Sequence, residues 1–287
     1  MKGLLLAGGE GTRLYPMTQY ITKHLLPIYD KPMIYYSLTT LMLAGITDII
    51  IITNEQNLTL YKSLLKDGKH LGLNLEFVKQ SNASGIAEAI LLSEKYIENE
   101  DVAVSLGDNL FYGQSFTDIL TKAKQMSKKG AVIFAYPVKD PRAFGVVEFA
   151  EHKAISLEEK PLNPKSKYAV PGLYFYDSSV VQRVKQVEPS QRGELEITDL
   201  NKLYLEDNSL YVMELGRGMT WFDAGTPEMM LKASEFVSSI QSTQGFYISS
   251  PEEIAWRMGY INLAQFKVLA SEKSESQYGK YLLSLLY

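Results

Sequence analysis

The first fourteen residues constrain the fold most, because an apolar run passes directly into a cluster of glycines. Leu4–Ala7 are apolar and are followed by Gly8, Gly9 and Gly11, an order typical of a buried β-strand that ends in a tight loop. Glycine lets an anion approach the backbone closely, so the loop can direct its N–H groups at phosphate. Arg13, at the end of the loop, can donate to two phosphate oxygens. The stretch predicts a phosphate-binding loop, with a plain strand-to-helix turn as the alternative.

Two common phosphate-binding loops can be tested against this spacing. A P-loop requires G-x-x-x-x-G-K-[ST], and no Lys-Ser or Lys-Thr pair follows these glycines. The dinucleotide pattern G-x-G-x-x-G, started at Gly9 and Gly11, would need glycine at the position of Leu14. Both patterns fail, which argues against a P-loop NTPase and against a nicotinamide-dependent dehydrogenase.

Composition excludes several classes of protein. The 287 residues contain no cysteine, so no disulfide can form. The net charge of −4 comes from 29 basic and 33 acidic residues mixed along the chain, which provides no electrostatic footprint for nucleic acid. No apolar run approaches the ~18 residues of a membrane span, so we expect a soluble, cytoplasmic protein without membrane partners. The three histidines, His24, His70 and His152, show no metal-ligand spacing.

Strands and helices are predicted to alternate along the first half of the chain. The run Ile49–Ile52 is fully β-branched, which is typical of a strand buried on both faces of a parallel sheet. Alternation of this kind indicates βαβ units. We therefore predict an α/β fold with a Rossmann-like, open, mainly parallel sheet in a three-layer αβα arrangement. Further strands are expected at 75–79, 102–106 and 131–136, and helices at 58–65, 86–96 and 116–126, after a first helix that Gly45 ends.

The pattern changes after Pro137. Short strands at 145–149, 155–158 and 172–176 predict an antiparallel excursion laid over the first half. A helix is expected to open within 192–199, and a strand at 210–215 precedes a helix that starts at Pro227 with Thr226 as its cap. These boundaries predict one domain over residues 1–228, with halves 1–136 and 137–228, and a helical C-terminal segment, 229–287, packed on it as a candidate oligomer surface.

Polar residues follow three of the predicted strands at their carboxyl ends. They occupy Gly8–Arg13, Gln80–Gly85 and Gly107–Asn109. Ligands bind to open α/β sheets beyond the carboxyl ends of the strands. The three segments are therefore expected to line one cleft.

Five charged side chains are candidates for chemistry on a polyphosphate. Arg13, Lys23 and Lys160 are the cations that we place around the phosphates, while Asp108 and Asp223 each follow an apolar strand and could together hold Mg²⁺. Each has a plain alternative. Gly-Asp-Asn at Asp108 is also a common turn, Asp223 is also an ordinary helix entry, and Lys160 could belong to a solvated charge cluster.

The order of motifs along nearly the whole chain resembles that of the sugar-nucleotide pyrophosphorylases. The glycine loop, G-G-x-G-T-R-L-x-P, is followed after ten residues by K-x-L-L-P-x-x-x-K-P. The later motifs that carry the resemblance are L-G-D-N at 106–109, F-G-V-V-E-F at 144–149, I-S-L-E-E-K-P at 155–161, Y-A-V-P-G-L-Y-F-Y-D at 168–177, R-G-E-L-E-I-T-D at 192–199 and W-F-D-A-G-T at 221–226.

The resemblance is strongest to the branch of that family that uses dTTP and glucose 1-phosphate, and it implies an activity, a cofactor and an assembly. It implies direct attack of the sugar phosphate on the α-phosphorus of dTTP, which yields dTDP-glucose and pyrophosphate as the first step toward dTDP-deoxysugars such as dTDP-rhamnose, with Mg²⁺ as cofactor and a homotetramer as the assembly. The residues implied are Arg13, Lys23 and Lys160 in catalysis; Leu6, Gly8, Gly9, Gly11, Thr12, Arg13, Gln80, Gly85 and Asp108 around the nucleotide; Gly145, Glu159, Lys160 and Val170 around the sugar phosphate; and Asp108 and Asp223 on the metal.

One departure from the family pattern affects the expected specificity. Residues 81–84 contain no proline, where the family has one after the glutamine, so the preference for thymine is open. A related enzyme that uses UTP, CTP or another sugar 1-phosphate therefore stays an alternative, as does a non-catalytic nucleotide-binding regulator. The sequence also leaves open whether a second, regulatory nucleotide site exists.

Overall fold

The structure is a computed structural model that describes residues 1–80, 84–190 and 192–287. The loop segment 81–83, part of the stretch without proline, lies outside the described residues. Within the described residues the strands are β1 (Lys2–Leu6), β2 (Pro27–Ile28), β3 (Lys31–Pro32), β4 (Asp48–Thr53), β5 (Asn74–Lys79), β6 (Val102–Leu106), β7 (Asn109–Gly113), β8 (Ala131–Pro137), β9 (Gly145–Ala150), β10 (Lys153–Glu159), β11 (Tyr168–Ala169), β12 (Leu173–Tyr176), β13 (Leu210–Glu214) and β14 (Met219–Asp223). The helices are α1 (Ile34–Leu43), α2 (Glu55–Leu65), α3 (Ile86–Leu92), α4 (Glu94–Ile97), α5 (Phe116–Met126), α6 (Val180–Val184), α7 (Ile197–Glu206), α8 (Pro227–Gln244), α9 (Pro251–Arg257), α10 (Leu263–Ser271) and α11 (Gln277–Ser284).

The first half forms the parallel sheet that the sequence predicts. Strands β6, β1, β4 and β5 lie side by side and run in the same direction. Ile49–Ile52 of β4 are all buried, as expected for a strand covered on both faces. One apolar layer packs α1, α2, α5 and the C-terminal helices on one face of the sheet, and a second packs α3, α6 and α7 on the other. The predicted three-layer α/β class is confirmed.

The second half contains the predicted antiparallel strands, but the prediction that they are laid over the first half is wrong. Its strands extend the same sheet, in the order β11-β9-β10-β13-β8-β12-β6-β1-β4-β5. Strand β12 is inserted antiparallel between β6 and β8, with Tyr174 opposite both Val104 and Ile133. All four residues of β12 are buried. A central position in the sheet, with helices on both faces, removes their side chains from water.

Two predicted helices begin or end elsewhere. The predicted helix 86–96 is divided into α3 and α4 at Ser93, whose buried hydroxyl donates to the carbonyl of Ala89 at 2.8 Å and competes with the regular helical pattern. The helix predicted within 192–199 begins only at Ile197, because residues 192–196 are not helical.

A two-stranded ribbon was not predicted. Strand β14 pairs antiparallel with β7, and this places Asp223 opposite Asn109. The ribbon is closed by Ala224, whose N–H donates to the carbonyl of Asp108 at 2.9 Å. It therefore brings the end of β14 to the end of β6, although more than a hundred residues separate them in sequence.

The helices after β14 follow the prediction. The Thr226 hydroxyl accepts from Met229 N at 3.3 Å and caps α8 at Pro227. Helix α9 packs on α1, and the Tyr260 hydroxyl that follows it donates to the Met42 carbonyl at 2.6 Å. Helices α9–α11 are thus part of the layer that covers the sheet, whereas α8 packs in a separate apolar cluster with Leu14 and Ile28. No helix within the described ranges is long and apolar enough to cross a membrane.

Candidate active site

A cleft of about 310 Å³ lies at the carboxyl ends of the parallel strands. Gly8 and Gly9 follow β1, Gln80 follows β5, and Gly107 and Asp108 follow β6, and all five line this cleft. Parts of all three segments that were expected to converge therefore line one cleft, while residues 81–83 lie outside the described residues. The cleft is also lined by Leu6, Lys23, His24, Gly85, Ile86, Leu106, Glu159, Lys160, Arg192, Glu194, Glu196 and Ile197.

The glycine loop lies against Lys23. Gly11 adopts a left-handed conformation with φ +69°, and its carbonyl accepts a hydrogen bond from the Thr18 hydroxyl at 2.8 Å. A Cβ atom at Gly9 would lie 3.3 Å from Lys23 Cε. The loop therefore brings its backbone alongside the lysine side chain, and Thr12 and Arg13 continue it as a single 3-10 turn, Thr12–Leu14.

Lys23 and Asp108 form a buried ion pair at the cleft. The Lys23 amino group donates to Asp108 Oδ2, and the side chains are only 14% and 9% exposed. Asn109 Nδ2 donates to the other carboxylate oxygen at 2.9 Å. Burial is the largest single influence and would raise the pKa of Asp108, but the opposing influences, chiefly the positive charge of Lys23 with the hydrogen bonds from Lys23 and Asn109, together outweigh burial and lower the pKa to about 2. Asp108 is therefore a charged carboxylate at neutral pH.

Asp223 lies at the end of the β7–β14 ribbon, opposite Asn109 and close enough to Asp108 for the two charges to interact. Burial raises the pKa of Asp223, and the negative charge of Asp108 raises it further. Arg13 Nη2 lies 4.0 Å from Asp223 Oδ2, with the arginine side chain 60% exposed. A Cβ atom at Gly225 would lie 2.4 Å from Arg13 Nη2, so a side chain at this position would displace the guanidinium from where it lies.

The two carboxylates fit a hard divalent cation. Two aspartates that repel each other supply the oxygen ligands that Mg²⁺ prefers, and such a site takes its remaining ligands from water and substrate phosphate. Within residues 1–80, 84–190 and 192–287, no cluster of three or more His, Cys, Asp or Glu side chains could hold a metal by itself. A cation bound to Asp108 and Asp223 would therefore keep open positions for a phosphate.

His24 was missed as a cleft residue by the sequence analysis. Its ring is buried, and burial, helped by the charge of Lys23, lowers its pKa to about 3, so the imidazole is neutral at pH 7. Nδ1 lies 3.2 Å from the Tyr61 hydroxyl and 3.3 Å from the Thr22 hydroxyl. A Cβ atom at Gly107 would lie 2.6 Å from the His24 ring. The ring thus packs against the backbone that carries Lys23 and Asp108. In the sequence, His24 is a single histidine beside a lysine, and no spacing to another residue marks it as a site residue.

The residues assigned to the sugar phosphate form a second cluster. A Cβ atom at Gly145 would lie 3.6 Å from Glu159 Oε2 and 3.7 Å from Val170 Cβ, and Val170 N donates to the Gly145 carbonyl at 2.8 Å. The Thr198 hydroxyl donates to Glu159 Oε2 at 2.6 Å. Lys160 Nζ lies 3.4 Å from Glu159 Oε1, and its side chain is half exposed. Glu159 and Lys160 line the cleft, and Gly145 and Val170 pack beside Glu159.

Gly85 closes the cleft on the side of Gln80. Its φ of +106° is outside the range that L side chains favour, and a Cβ atom would lie 2.3 Å from the Leu195 carbonyl oxygen. Leu195 N also donates to the Ser84 carbonyl at 2.9 Å. The loop that carries Gly85 is therefore held against the segment that precedes α7, which lines the cleft from the opposite half of the chain.

Gly85→Ala is expected to weaken this contact strongly. The added methyl group must displace the backbone of Leu195, and the positive φ alone costs about 1–3 kcal/mol. Thermal or urea unfolding should show a loss of stability larger than that cost, because the displacement of Leu195 adds to it. Gly193→Ala is a matched control, since Gly193 also has a positive φ but nothing lies within 4 Å of its Cβ position. Equal losses in the two variants would mean that the contact with Leu195 contributes nothing.

Comparison with known proteins decides the family. A model of the family described as nucleotidyl transferase matches residues 2–240. The chain belongs to the nucleotidyltransferase family. A glucose-1-phosphate thymidylyltransferase from Neisseria meningitidis is 52% identical over 287 residues, which cover 100% of this chain and 99% of the relative. The resemblance read from the motifs is confirmed, and this nucleotidyltransferase is an enzyme.

Solved structures agree with that family. A Bacillus anthracis protein, provisionally assigned as a glucose-1-phosphate thymidylyltransferase and crystallised with a sucrose, is 42% identical with a TM-score of 0.75 and covers 82% of this chain and 94% of its own. A UDP-glucose pyrophosphorylase complexed with UDP-glucose is 26% identical with a TM-score of 0.73, and the match covers 83% of this chain and 98% of that one. The same fold is therefore found in enzymes named for different nucleotides.

Proposed function

We propose that this nucleotidyltransferase condenses dTTP with α-D-glucose 1-phosphate to give dTDP-glucose and pyrophosphate. One observation carries the proposal: a single cleft joins a glycine loop and the Lys23–Asp108 pair at one side to Glu159 and Lys160 at the other. The first side suits a nucleoside triphosphate and the second a phosphorylated sugar. The identity of 52% to a glucose-1-phosphate thymidylyltransferase over the whole chain supports this pair of substrates.

The reaction needs no covalent enzyme intermediate. A phosphate oxygen of glucose 1-phosphate forms a bond to the α-phosphorus of dTTP, and the bond from that phosphorus to the bridging oxygen of the β-phosphate breaks. The electron pair of the broken bond leaves with pyrophosphate. Because the attacking oxygen is already anionic, the protein has to position and neutralise two anions rather than to remove a proton.

The cations divide this work between the substrates. We assign Arg13 and Lys23 to the phosphates of dTTP, where the fork of Arg13 can contact two oxygens and Lys23 acts as a point charge. Lys160 is assigned to the phosphate of glucose 1-phosphate. The glycine loop supports the triphosphate through its backbone. The nucleotide-binding residues that we propose are Leu6, Gly8, Gly9, Gly11, Thr12, Arg13, Gln80, Gly85 and Asp108. Those that we propose to bind the sugar phosphate are Gly145, Glu159, Lys160 and Val170.

We assign Asp108 and Asp223 as the residues that would hold Mg²⁺. When bound, the ion neutralises phosphate charge and makes the α-phosphorus easier to attack. Asp108 supplies a charged carboxylate at neutral pH, and Lys23 restrains it by donating to Oδ2. The raised pKa of Asp223 reflects burial and the nearby charge of Asp108, a repulsion that a divalent cation between them would relieve.

The domain boundaries and the assembly belong to the same proposal. Residues 1–228 would form the nucleotidyltransferase domain, with a nucleotide half at 1–136 and a sugar-phosphate half at 137–228, and 229–287 would provide a surface for a homotetramer in the cytoplasm. Light scattering on the purified protein tests the assembly, and removal of 229–287 would expose the apolar layer that α9–α11 cover.

Pyrophosphate release tests the reaction. The enzyme is supplied with Mg²⁺, with each of dTTP, UTP, CTP, ATP and GTP, and with glucose 1-phosphate or another sugar 1-phosphate. Release is expected to be fastest with dTTP and glucose 1-phosphate. One methyl group is worth only about 1–3 kcal/mol in a pocket, so activity with UTP would not contradict the proposal. Faster release with a different sugar 1-phosphate would replace the proposed substrate, and no release with any pair would refute it.

A further inference from the structure

Gln80 is held by two hydrogen-bond acceptors. Its side-chain nitrogen Nε2 donates to Glu88 Oε2 at 2.7 Å and to the Gly85 carbonyl at 3.3 Å. A carboxylate and a carbonyl can only accept. The amide of Gln80 must therefore turn its nitrogen, and not its oxygen, toward these two groups.

The oxygen of the same amide faces the cleft. A Cβ atom at Gly8 would lie 3.5 Å from Gln80 Oε1, and both Gly8 and Gln80 line the cleft. Within residues 1–80, 84–190 and 192–287, no hydrogen-bond donor contacts this oxygen. Since both N–H groups of the amide are engaged, what Gln80 offers a ligand is an acceptor alone.

Pyrimidine bases differ in what they place opposite such an acceptor. Thymine and uracil carry an N3–H donor between two carbonyl oxygens. Cytosine has a bare N3 lone pair at that position. A lone pair facing Gln80 Oε1 would leave two buried acceptors opposed, and sites built to bond an N–H discriminate strongly against analogues that lack it.

We propose that Glu88 is a specificity-determining positioning residue, which fixes Gln80 with its oxygen toward the base and thereby makes the enzyme select pyrimidines that carry N3–H over cytosine. The inference rests on the proposed function, in which Gln80 is one of the nucleotide-binding residues, and it places the amide oxygen of Gln80 opposite the base. Glu88 is not among the described residues that line the cleft. It acts through the amide that it holds, from the first turn of α3, where a carboxylate is favoured by the helix dipole.

The orientation of the Gln80 amide should not affect the choice between thymine and uracil. Thymine and uracil share the N3–H group and differ only in the methyl group on C5. Glu88 should therefore affect discrimination against cytosine and leave discrimination between thymine and uracil unchanged. This separation distinguishes a fixed amide from a general loss of packing, which would affect all three bases.

The test compares dTTP, dUTP and dCTP in wild type, Glu88→Gln and Glu88→Ala. The three deoxynucleotides differ only in the base, and both kcat/KM with glucose 1-phosphate and the dissociation constant without it are measured. Glu88→Gln can pair with Gln80 in either orientation, and Glu88→Ala leaves only the longer contact of 3.3 Å with the Gly85 carbonyl. Both variants therefore weaken the preference for one orientation, and the dTTP to dCTP ratio is expected to fall about tenfold or more. The dTTP to dUTP ratio is expected to stay at its wild-type value.

Two controls separate positioning from stability. Glu94→Gln makes the same chemical change at an exposed residue of α4 that is paired with Lys185, and it should alter neither ratio. In a Gln80→Ala background, adding Glu88→Gln should not lower the dTTP to dCTP ratio further, because the amide that Glu88 holds is gone. Melting temperatures of all variants show whether they are folded.

The outcomes are distinct from those of the proposed function. No pyrophosphate release from wild type refutes the proposed reaction, while the dissociation constants still test Glu88. Wild type that binds dTTP and dCTP equally, or folded Glu88 variants that keep the wild-type dTTP to dCTP ratio, would overturn the inference. So would equal losses for all three nucleotides, since these would indicate a structural role alone.

Discussion

Asp108→Asn is expected to lower kcat by about 10²-fold or more, the scale for losing one positioned electrostatic group. The substitution keeps the volume of the side chain but removes the charge that faces Lys23 and Asp223. Because the charge of Lys23 lowers the pKa of Asp108 to about 2, wild type carries that charge throughout the neutral range. The measurement is pyrophosphate release at saturating dTTP, glucose 1-phosphate and Mg²⁺.

Loss of the charge also leaves Lys23 without its buried partner. Breaking a buried ion pair in this way costs about 3–5 kcal/mol, so the melting temperature is measured on the same sample and activity is compared well below it. Asp67→Asn is the matched control, because Asp67 forms an exposed pair with Lys69 and should retain full turnover. A folded Asp108→Asn enzyme with wild-type kcat at saturating Mg²⁺ would remove Asp108 from the proposed metal site.

The parallel half of the sheet could be predicted because its signal is local. A strand buried on both faces must be apolar at every position, and Ile49–Ile52 satisfy this with four consecutive residues. Gly45, which ends α1 with φ +72°, marks the boundary before it. The apolar composition of a segment and the glycine that precedes it, all within about ten residues, were therefore sufficient to predict these elements.

The order of the strands could not be predicted in the same way. Leu173–Tyr176 are apolar and would suit a strand in any buried sheet. Their place between β6 and β8 depends on pairing with Val102–Ser105 and Ala131–Ile133, which lie far away in sequence. The ribbon of β7 and β14 has the same origin. Non-local pairing of this kind leaves no periodicity in either strand by itself.

The site shows a similar division. Arg13 and Asp108 were noticed because each follows a glycine loop or a strand end, and Lys23 because it opens the motif that comes after the loop. His24 and Glu88 were missed, since their importance depends on contacts with Tyr61 and Gln80 rather than on their own neighbours in sequence. The residues that touch a ligand leave motifs, whereas the residues that hold them in place are found only in the fold.

Arg13→Ala is expected to lower kcat/KM for dTTP by about 10²-fold. Arg13 is the most exposed of the charged side chains around Asp108, and its carboxylate neighbour, Asp223, is 4.0 Å away. That contact restrains the guanidinium weakly, so it can turn to the phosphates of dTTP. Gly225 leaves the space for this movement beside Arg13 Nη2.

The kinetic constants show which state Arg13 stabilises. If it contacts the phosphates as charge shifts toward pyrophosphate, kcat falls together with kcat/KM; a rise in KM with unchanged kcat would mean that it binds only ground-state nucleotide. Arg13→Lys should recover only part of the loss, because an ammonium keeps the charge but cannot bridge two oxygens. Arg142→Ala removes an exposed guanidinium paired with Asp140 and should leave both constants unchanged. A folded Arg13→Ala enzyme with wild-type kcat/KM would move the phosphate-binding role to Lys23 and the backbone of the glycine loop.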